Sequence, residues 1–357
     1  MVGRLVTKNS LSRFILMILL GSLGLSMSCI DQFRIDFEEE DGFLLVEGLI
    51  TDGRGPSRVK LSRLDTTNLG VDPVLNAQVE IFDDSGNNFE LFENSEGEYA
   101  LAGVDAVLVE VGKAYTLRIT TNGKIYESLP EVMQPVPLID SVYFERFVRT
   151  SLTETGATVE KEFLRVKSSF KTLSENSTQL RFDYRGVFNL VTPTPCALGC
   201  AAFCFAPDKP SDFLNIFSHE PKTVVQIDES LIDFEVDKRF SIRYILHLRQ
   251  YSLTPDAYEF WEAINDQREN SGTIFDAQPS VIVSNIRNVN NKKEVVLGFF
   301  MASAFTEKVA TITFPRLREI GFETDDFYPE CEEFPEAICF NCLAFQESSR
   351  DSLVADW

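Results

Sequence analysis

Apolar and polar residues alternate over many short stretches of the chain. Residues 43–50 are mainly apolar, and residues 115–119 alternate strictly before the dipeptide Asn122-Gly123. A period of two is typical of a strand with one buried face, and Asn-Gly is typical of a tight hairpin turn. Several such strands with frequent turn signals predict a mostly β protein that begins with a β-sandwich over residues 43–129.

An acidic segment, residues 83–87, separates two alternating stretches inside this region. It has some likeness to a calcium-binding loop, but no Glu completes the loop in register and no helices flank it. Asp, Asn and Gly are the residues that tight hairpins need. We therefore interpret the segment as a hairpin turn.

Three prolines within residues 130–137 mark a predicted linker, and a second β-rich domain is predicted over residues 138–330. Its clearest strand patterns are residues 163–166, 180–184, 242–248, 295–300 and 309–314. A stretch rich in Pro, Ala and Phe, residues 193–211, interrupts these strands. We interpret it as a disulfide-stapled insertion.

One amphipathic helix is predicted near residues 255–270. Thr254 suits the N-cap, and Pro255 suits the first helical position, where an N–H would have no partner within the helix. Gly272 suits the end of the helix. Large apolar residues follow at near-helical spacing: Tyr258, Trp261 and Ile264. We interpret this stripe as part of a core rather than as a ligand platform.

The first 28 residues have the features of a secretory signal peptide. Positive charges precede a short apolar stretch at residues 14–20, and small and apolar residues continue to Ser28. The apolar stretch is too short for a transmembrane helix. We therefore predict that residues 1–28 are removed on export.

Cys29 follows the signal peptide directly and resembles the cleavage cysteine of a bacterial lipoprotein. Ser26 stands three residues before it, where the usual pattern has an aliphatic residue. We predict that Cys29 is lipidated, because it stands where the apolar stretch ends and before any predicted strand begins. Several acyl chains would then hold the protein on a membrane without a helix. The alternative is an ordinary signal peptide with Cys29 as a structural thiol. Residues 29–42 then form an acidic tether, for which a spacer is favoured over a sorting signal.

Composition and charge restrict the possible partners. The chain has 357 residues, more than one hydrophobic core usually serves, and its 44% hydrophobic content is typical of globular proteins. The formal net charge of -22 argues against nucleic acid and anionic headgroups as general partners. The two histidines, His219 and His247, are too few for a His-rich metal centre. We expect no metal and no other cofactor.

The sequence offers no recognisable catalytic constellation. His247 lies in an alternating strand, and His219 follows Ser218 in a loop-like stretch, but adjacency in sequence does not make a triad. Nucleophile-elbow, P-loop and dinucleotide-binding patterns are missing. Paired carboxylates for glycoside hydrolysis stay open, because 55 acidic residues offer many pairs. We therefore expect a non-enzymatic protein and assign no catalytic residue.

Six cysteines remain after Cys29, in two clusters. They are Cys196, Cys200 and Cys204, and then Cys331, Cys339 and Cys342 in a Cys-rich tail over residues 331–357. An even number in an exported chain predicts disulfides, although the sequence does not choose the pairing. A zinc knuckle or redox motif at 339–342 is the less favoured alternative, because a second short-spaced pair is missing. The two clusters also allow a long-range link between tail and body.

The order of several short motifs resembles one known family. The motifs are the lipoprotein Cys, Val46-Glu47-Gly48-x-Ile50, Glu96-Gly97-Glu98-Tyr99, Ile139-Asp140-Ser141-Val142, residues 257–261, residues 272–279, residues 284–286, residues 296–300 and the Cys-rich tail. In this order they resemble the Bacteroidota lipoprotein family catalogued as domain of unknown function 4249, over nearly the whole mature chain. The front domain also resembles transthyretin-like or Ig-like sandwiches, which are not catalytic.

This resemblance implies a lipid-anchored protein of the outer membrane. It also implies a binding or accessory role beside a TonB-dependent β-barrel transporter, in nutrient uptake or envelope assembly. The alternative is a surface-anchored hydrolase that acts on glycan or peptide. Phe203 and Phe205 are the candidate partner contacts, because insertions between strands often carry function. The alternative for these two residues is that their rings pack onto their own domain.

Overall fold

The structure is a computed structural model. It describes residues 42–53, 55–65, 70–101, 109–153, 156–173, 177–192, 201–210, 213–220, 223–270, 282–322, 339–345 and 347–349. All of these residues belong to one compact unit that begins at Gly42. The predicted signal peptide, Cys29 and the tether up to residue 41 lie outside the described residues, so they stay predictions.

The described residues are mostly β. Their strands are β1 (Phe43–Thr51), β2 (Arg58–Leu64), β3 (Val71–Pro73), β4 (Gln78–Asp83), β5 (Asn88–Ser95), β6 (Glu98–Leu101), β7 (Ala114–Thr121), β8 (Lys124–Ser128), β9 (Glu131–Val132), β10 (Ile139–Leu152), β11 (Thr158–Lys171), β12 (Thr178–Val191), β13 (Phe203–Asp208), β14 (Asn215–His219), β15 (Gln226–Phe234), β16 (Arg243–Ser252), β17 (Ile286–Asn288), β18 (Val296–Ser303) and β19 (Phe305–Thr313). The helices are α1 (Pro255–Asn270) and α2 (Phe314–Glu319), with short 3-10 turns at Lys238–Phe240 and Cys342–Ala344. The predicted β class is confirmed.

These strands form three sheets. The first has eleven strands in the order β17-β8-β7-β4-β5-β6-β2-β1-β18, with β3 beside β2 and β9 beside β7. The second has the order β10-β11-β15. The third has the order β13-β12-β16-β19, with β14 beside β12.

Two strands from late in the chain complete the first sheet. β18 pairs in parallel with β1 and places Gly298 beside Val46, while β17 pairs antiparallel with β8. A parallel pair needs a long crossover connection, and here residues 52–295, between the end of β1 and the start of β18, supply it. The first sheet therefore extends beyond the predicted range 43–129. The division into domains around 130–137 stays a prediction.

Local turn and cap signals appear where the sequence places them. The Asp83 carboxylate accepts hydrogen bonds from the backbone N–H of Ser85 at 3.0 Å and of Asn87 at 2.8 Å, as in a hairpin turn. Asn122 and Gly123 have φ values of 49° and 73°, which the tight turn between β7 and β8 requires. The hairpin interpretation is thus confirmed at both places.

Helix α1 begins as predicted. The Thr254 hydroxyl accepts a hydrogen bond from the backbone N–H of Ala257 at 3.2 Å, which satisfies one of the donors left free at a helix start. The short helix α2 is not predicted, and the strand predicted over residues 309–314 ends where this helix begins, at Phe314. Its Leu317 side chain is fully buried against the second and third sheets' core.

A small apolar cluster joins the first sheet, the third sheet and α1. Its buried members are Leu49, Tyr251, Leu253, Ala257, Phe299 and Met301. Phe260 of α1 packs on Phe299 with ring centroids 4.8 Å apart. Burial of each large apolar side chain contributes about 1.5–3 kcal/mol, so this cluster fixes α1 over the outer face of the first sheet.

Candidate functional site

Phe203 and Phe205 lie on the outer face of β13. The residues between and beside them, Cys204 and Ala206, are buried in the core, as the alternation of a strand requires. The two phenyl rings meet edge to face with centroids 5.5 Å apart. Phe203 is 46% exposed, and its register partner Val191 is exposed as well. The structure therefore presents an apolar surface at this strand, which we call the β13 aromatic pair.

A disulfide fixes this strand to the C-terminal tail. Cys204 is bonded to Cys342, which stands 138 residues later, so tail and body are linked over a long range. The backbone N–H of Cys342 also donates to the carbonyl of Ala201 at 2.9 Å, and Phe205 and Ser349 exchange two backbone hydrogen bonds of 2.8 Å. These contacts hold the aromatic pair on a rigid edge.

The other cysteine predictions are tested only in part. Cys339 is also disulfide-bonded, so neither Cys339 nor Cys342 is a free thiol in this structure. Cys196, Cys200 and Cys331 lie outside the described residues. Groups of three or more His, Cys, Asp or Glu with metal-binding geometry are absent from the described part of the chain.

The two histidines do not meet. His219 on β14 pairs with Thr178, and His247 on β16 pairs with Arg185, so they lie roughly 20 Å apart along β12. The Nδ1 atom of His247 lies 3.2 Å from a carboxylate oxygen of Glu307, whose other oxygen accepts from Arg249. This arrangement is an ordinary cross-strand ion pair.

A cavity of about 560 Å³ lies between α1 and the outer face of the first sheet. The strands supply two adjacent rows of side chains, because the parallel register sets Leu45 beside Leu297 and Leu49 beside Met301. Trp261 of α1 closes the opposite wall. The volume falls in the range of cavities that hold small organic ligands.

Two glycines of the cavity floor stand where a side chain would collide with a neighbouring strand. Gly298 has a φ of 89°, and a Cβ built there would lie 2.0 Å from the carbonyl oxygen of Val46. A Cβ at Gly48 would lie 2.9 Å from the Phe300 ring. β1 and β18 can therefore approach each other closely only with glycine at position 298.

Arg181 reaches the cavity from β12 of the third sheet. Its guanidinium lies 5.1 Å from the ring centre of Tyr251 and 4.8 Å from that of Trp261. Its Nε atom is buried and has no hydrogen-bond partner among the described residues. Burial lowers the pKa of Arg181, and Arg58, which also lines the cavity, adds to this effect.

The rim of the cavity carries both signs of charge. Arg58, Lys60 and Arg181 line it together with Glu47 and Glu98. Lys60 and Glu47 approach to 3.9 Å on exposed side chains, so their attraction contributes little. Arg58 is exposed and forms no ion pair in the described part of the chain. Positive charge therefore concentrates around Arg181 in an otherwise acidic protein.

A buried carboxyl group, Glu131, lies at the start of α1. One of its oxygens accepts from the Thr254 hydroxyl at 2.6 Å, and the other accepts from the Asn285 amide at 3.1 Å. Burial raises the pKa of Glu131 to about 7, although the hydrogen bonds from Thr254 and Asn285 act in the opposite direction. Since both oxygens are occupied and the residue is 4% exposed, its role is structural.

The sequence did not mark this cavity. Arg181 stands in a stretch that is predicted only as a strand, and nothing local shows that its side chain meets Trp261. The helical stripe contacts the small apolar cluster, as expected of core residues, but Trp261 also lines a cavity. The available signal was one Arg among alternating apolar residues at 180–184.

Comparisons with known proteins show a family and no function. The family model described as "Domain of unknown function (DUF4249)" matches residues 30–309. No curated protein matches the chain. Among solved structures, one similar chain is described as "Biofilm associated protein - BSP domain", at 5% identity and a TM-score of 0.16; the match covers 75% of this chain and 59% of that one. Within the described residues, no helix has the length and apolar character needed to cross a membrane.

Proposed function

The chain belongs to the family described as domain of unknown function DUF4249, and from this premise we propose that it is a non-enzymatic lipoprotein of the outer membrane. In this proposal Cys29 carries the lipid anchor, and the protein is a binding or accessory partner of a TonB-dependent transporter. The transporter and the outer membrane enter this proposal through the resemblance in the order of the motifs. The β13 aromatic pair supplies a surface for the contact.

The observation that carries the proposal is the β13 aromatic pair, in which Phe203 is exposed and Phe205 is half-buried, on a rigid strand. Interfaces gain much of their affinity from a few aromatic anchors near their centre, and rigid anchors lose little entropy on binding. Phe203 is 46% exposed although it stands beside a disulfide-bonded residue, Cys204. A contact area on the order of 1,000 Å² or more around the pair would suffice for a stable complex.

The test is a pull-down of the full-length lipoprotein from detergent-solubilised membranes. The variant carries Phe203→Asp and Phe205→Asp, which place charge on the aromatic surface without changing the core face of β13. Phe92→Asp is the matched control, because Phe92 is 56% exposed on β5 of the first sheet. We expect wild type and Phe92→Asp to bring down a large β-barrel, and the double variant to lose it.

The outcomes of this test distinguish a wrong function from a wrong contact surface. If wild type brings down no transporter, the proposed function is wrong. If the double variant remains folded and binds as wild type does, only the contact is wrong. Turnover of a glycan or peptide panel by purified wild type would instead favour the surface-anchored hydrolase.

A further inference from the structure

We propose that the cavity between α1 and the first sheet binds a small amphipathic anion, with its carboxylate on Arg181 and its apolar body against β1, β18 and Trp261. This site is separate from the β13 aromatic pair. A ligand titration and a transporter pull-down can therefore fail independently of each other.

The unfilled donors of Arg181 carry the inference. An arginine side chain has five N–H donors, and stacking on Tyr251 and Trp261 satisfies none of them. The Nε atom is buried without an acceptor in the described part of the chain. Asp183 acts on Arg181 only at longer range and forms no salt bridge with it among the described residues. Arg181 is partly buried and lines the cavity, so its terminal N–H groups, rather than the enclosed Nε, are the ones that an entering anion would meet. A partly buried cation without a paired anion is costly, and an anion from outside would complete the site.

The geometry of the guanidinium selects the anionic group. Its planar fork matches the two oxygens of a carboxylate in two parallel hydrogen bonds. The rings of Tyr251 and Trp261 hold the fork by cation–π contact, so little rotamer freedom is lost when the anion binds. The exposed Arg58 adds positive potential at the entrance, which would attract an anion to a protein that is otherwise acidic.

The remaining walls select the rest of the ligand. Leu45, Leu49, Leu297 and Met301 line the cavity on the sheet side, and Trp261 lines it on the helix side. An inorganic anion would leave these apolar surfaces in contact with water, whereas an alkyl chain would cover them. The cavity volume of about 560 Å³ accommodates a carboxylate with a medium-length alkyl chain.

The tryptophan content makes the site directly observable. The chain has two tryptophans, Trp261 in the cavity wall and Trp357 at the last position. Trp357→Phe leaves Trp261 as the single indole reporter. Cys29→Ala in the same full-length chain removes the predicted acyl chains, so that no detergent competes for the cavity.

The probes are decanoate, its neutral analogue decanamide, and inorganic phosphate. We expect decanoate to change the Trp261 emission saturably, and to bind at least tenfold more tightly than decanamide or phosphate. Arg181→Met should weaken decanoate at least tenfold and leave decanamide unchanged, since a charge-assisted bidentate contact is lost. Arg316→Met is the matched control, because Arg316 is exposed on α2, away from the cavity lining.

Arg58→Gln provides a second variant on an exposed residue, whose loss does not threaten folding. We expect it to weaken decanoate a few-fold, with an effect that shrinks at high salt. The proposal is overturned if wild type shows no response to millimolar decanoate, or if decanoate and decanamide bind equally. An unchanged decanoate affinity in Arg181→Met also overturns it. If Arg181→Met does not fold, an unchanged decanoate affinity in Arg58→Gln overturns it instead.

Discussion

Replacing Glu131 by Gln removes a titrating group from the junction of β9 and α1. The Glu131 carboxyl is 4% exposed and accepts hydrogen bonds from the Thr254 hydroxyl at 2.6 Å and the Asn285 amide at 3.1 Å. Thr254 in turn caps α1. Burial raises the pKa of Glu131 from 4.5 to about 7, and the charge of Asp256 adds to the rise.

This pKa difference sets both the sign and the size of a pH effect on stability. Because the folded state binds the Glu131 proton more tightly than the unfolded state, folding is favoured at low pH. The free energy of unfolding then falls as the pH rises from 4.5 to about 7 and is constant above that. A shift of roughly 2.5 pKa units corresponds to about 3 kcal/mol. Glu131→Gln should lack this dependence, with a pH-independent cost of about 1 kcal/mol for the altered hydrogen bonds.

Urea unfolding of wild type and Glu131→Gln at several pH values between 5 and 8 measures the effect. The difference between the two curves of unfolding free energy against pH gives the contribution of Glu131 alone, because the other acidic groups are common to both proteins. Glu90→Gln, on an exposed position of β5, is the control and should follow wild type throughout. If the difference in the free energy of unfolding between wild type and Glu131→Gln does not change with pH, the argument that burial dominates the pKa of Glu131 is refuted.

The remaining predictions concern the staple, the cavity floor and the anchor. Cys204→Ser with Cys342→Ser should lower the free energy of unfolding by about 2–5 kcal/mol in denaturant titration, and an unchanged midpoint would contradict a stabilising link. Gly298→Ala should destabilise by roughly 3 kcal/mol or more, because its Cβ would collide with the Val46 carbonyl; a melting temperature within 2 °C of wild type, on the order expected for a surface substitution, would contradict this. Cys29→Ala should move the protein from the membrane to the soluble fraction, and an acyl-free mass for wild type would contradict lipidation.

Features that depend on a few neighbouring residues are the ones that the sequence predicted. The Asp83 turn, the Asn122-Gly123 hairpin and the Thr254 cap each follow from the chemistry of two to five adjacent positions. Strand alternation was equally visible, since it records which face of each strand is buried. These local preferences agree with the final fold, so tertiary contacts had no reason to override them.

Features that depend on distant contacts were not predictable in this way. β18 resembles any apolar strand in sequence, and only the assembled sheet shows that it completes the first sheet beside β1. Arg181 and Trp261 stand 80 positions apart in the chain and on different elements, so their contact has no local signature. The raised pKa of Glu131 likewise arises from burial, at a point where it meets Thr254 and Asn285, which stand more than 120 positions away in the chain. Long-range pairing therefore decides where the candidate site forms.

Photo-crosslinking at position 203 in intact cells tests the proposed function most directly. A photoreactive phenylalanine analogue replaces Phe203 on the exposed face of β13, and the same analogue at Phe92 is the control. We predict a crosslinked product that contains peptides of a TonB-dependent transporter for position 203 and not for position 92. Crosslinks confined to the chain itself, or identical products from both positions, would contradict the proposed partnership.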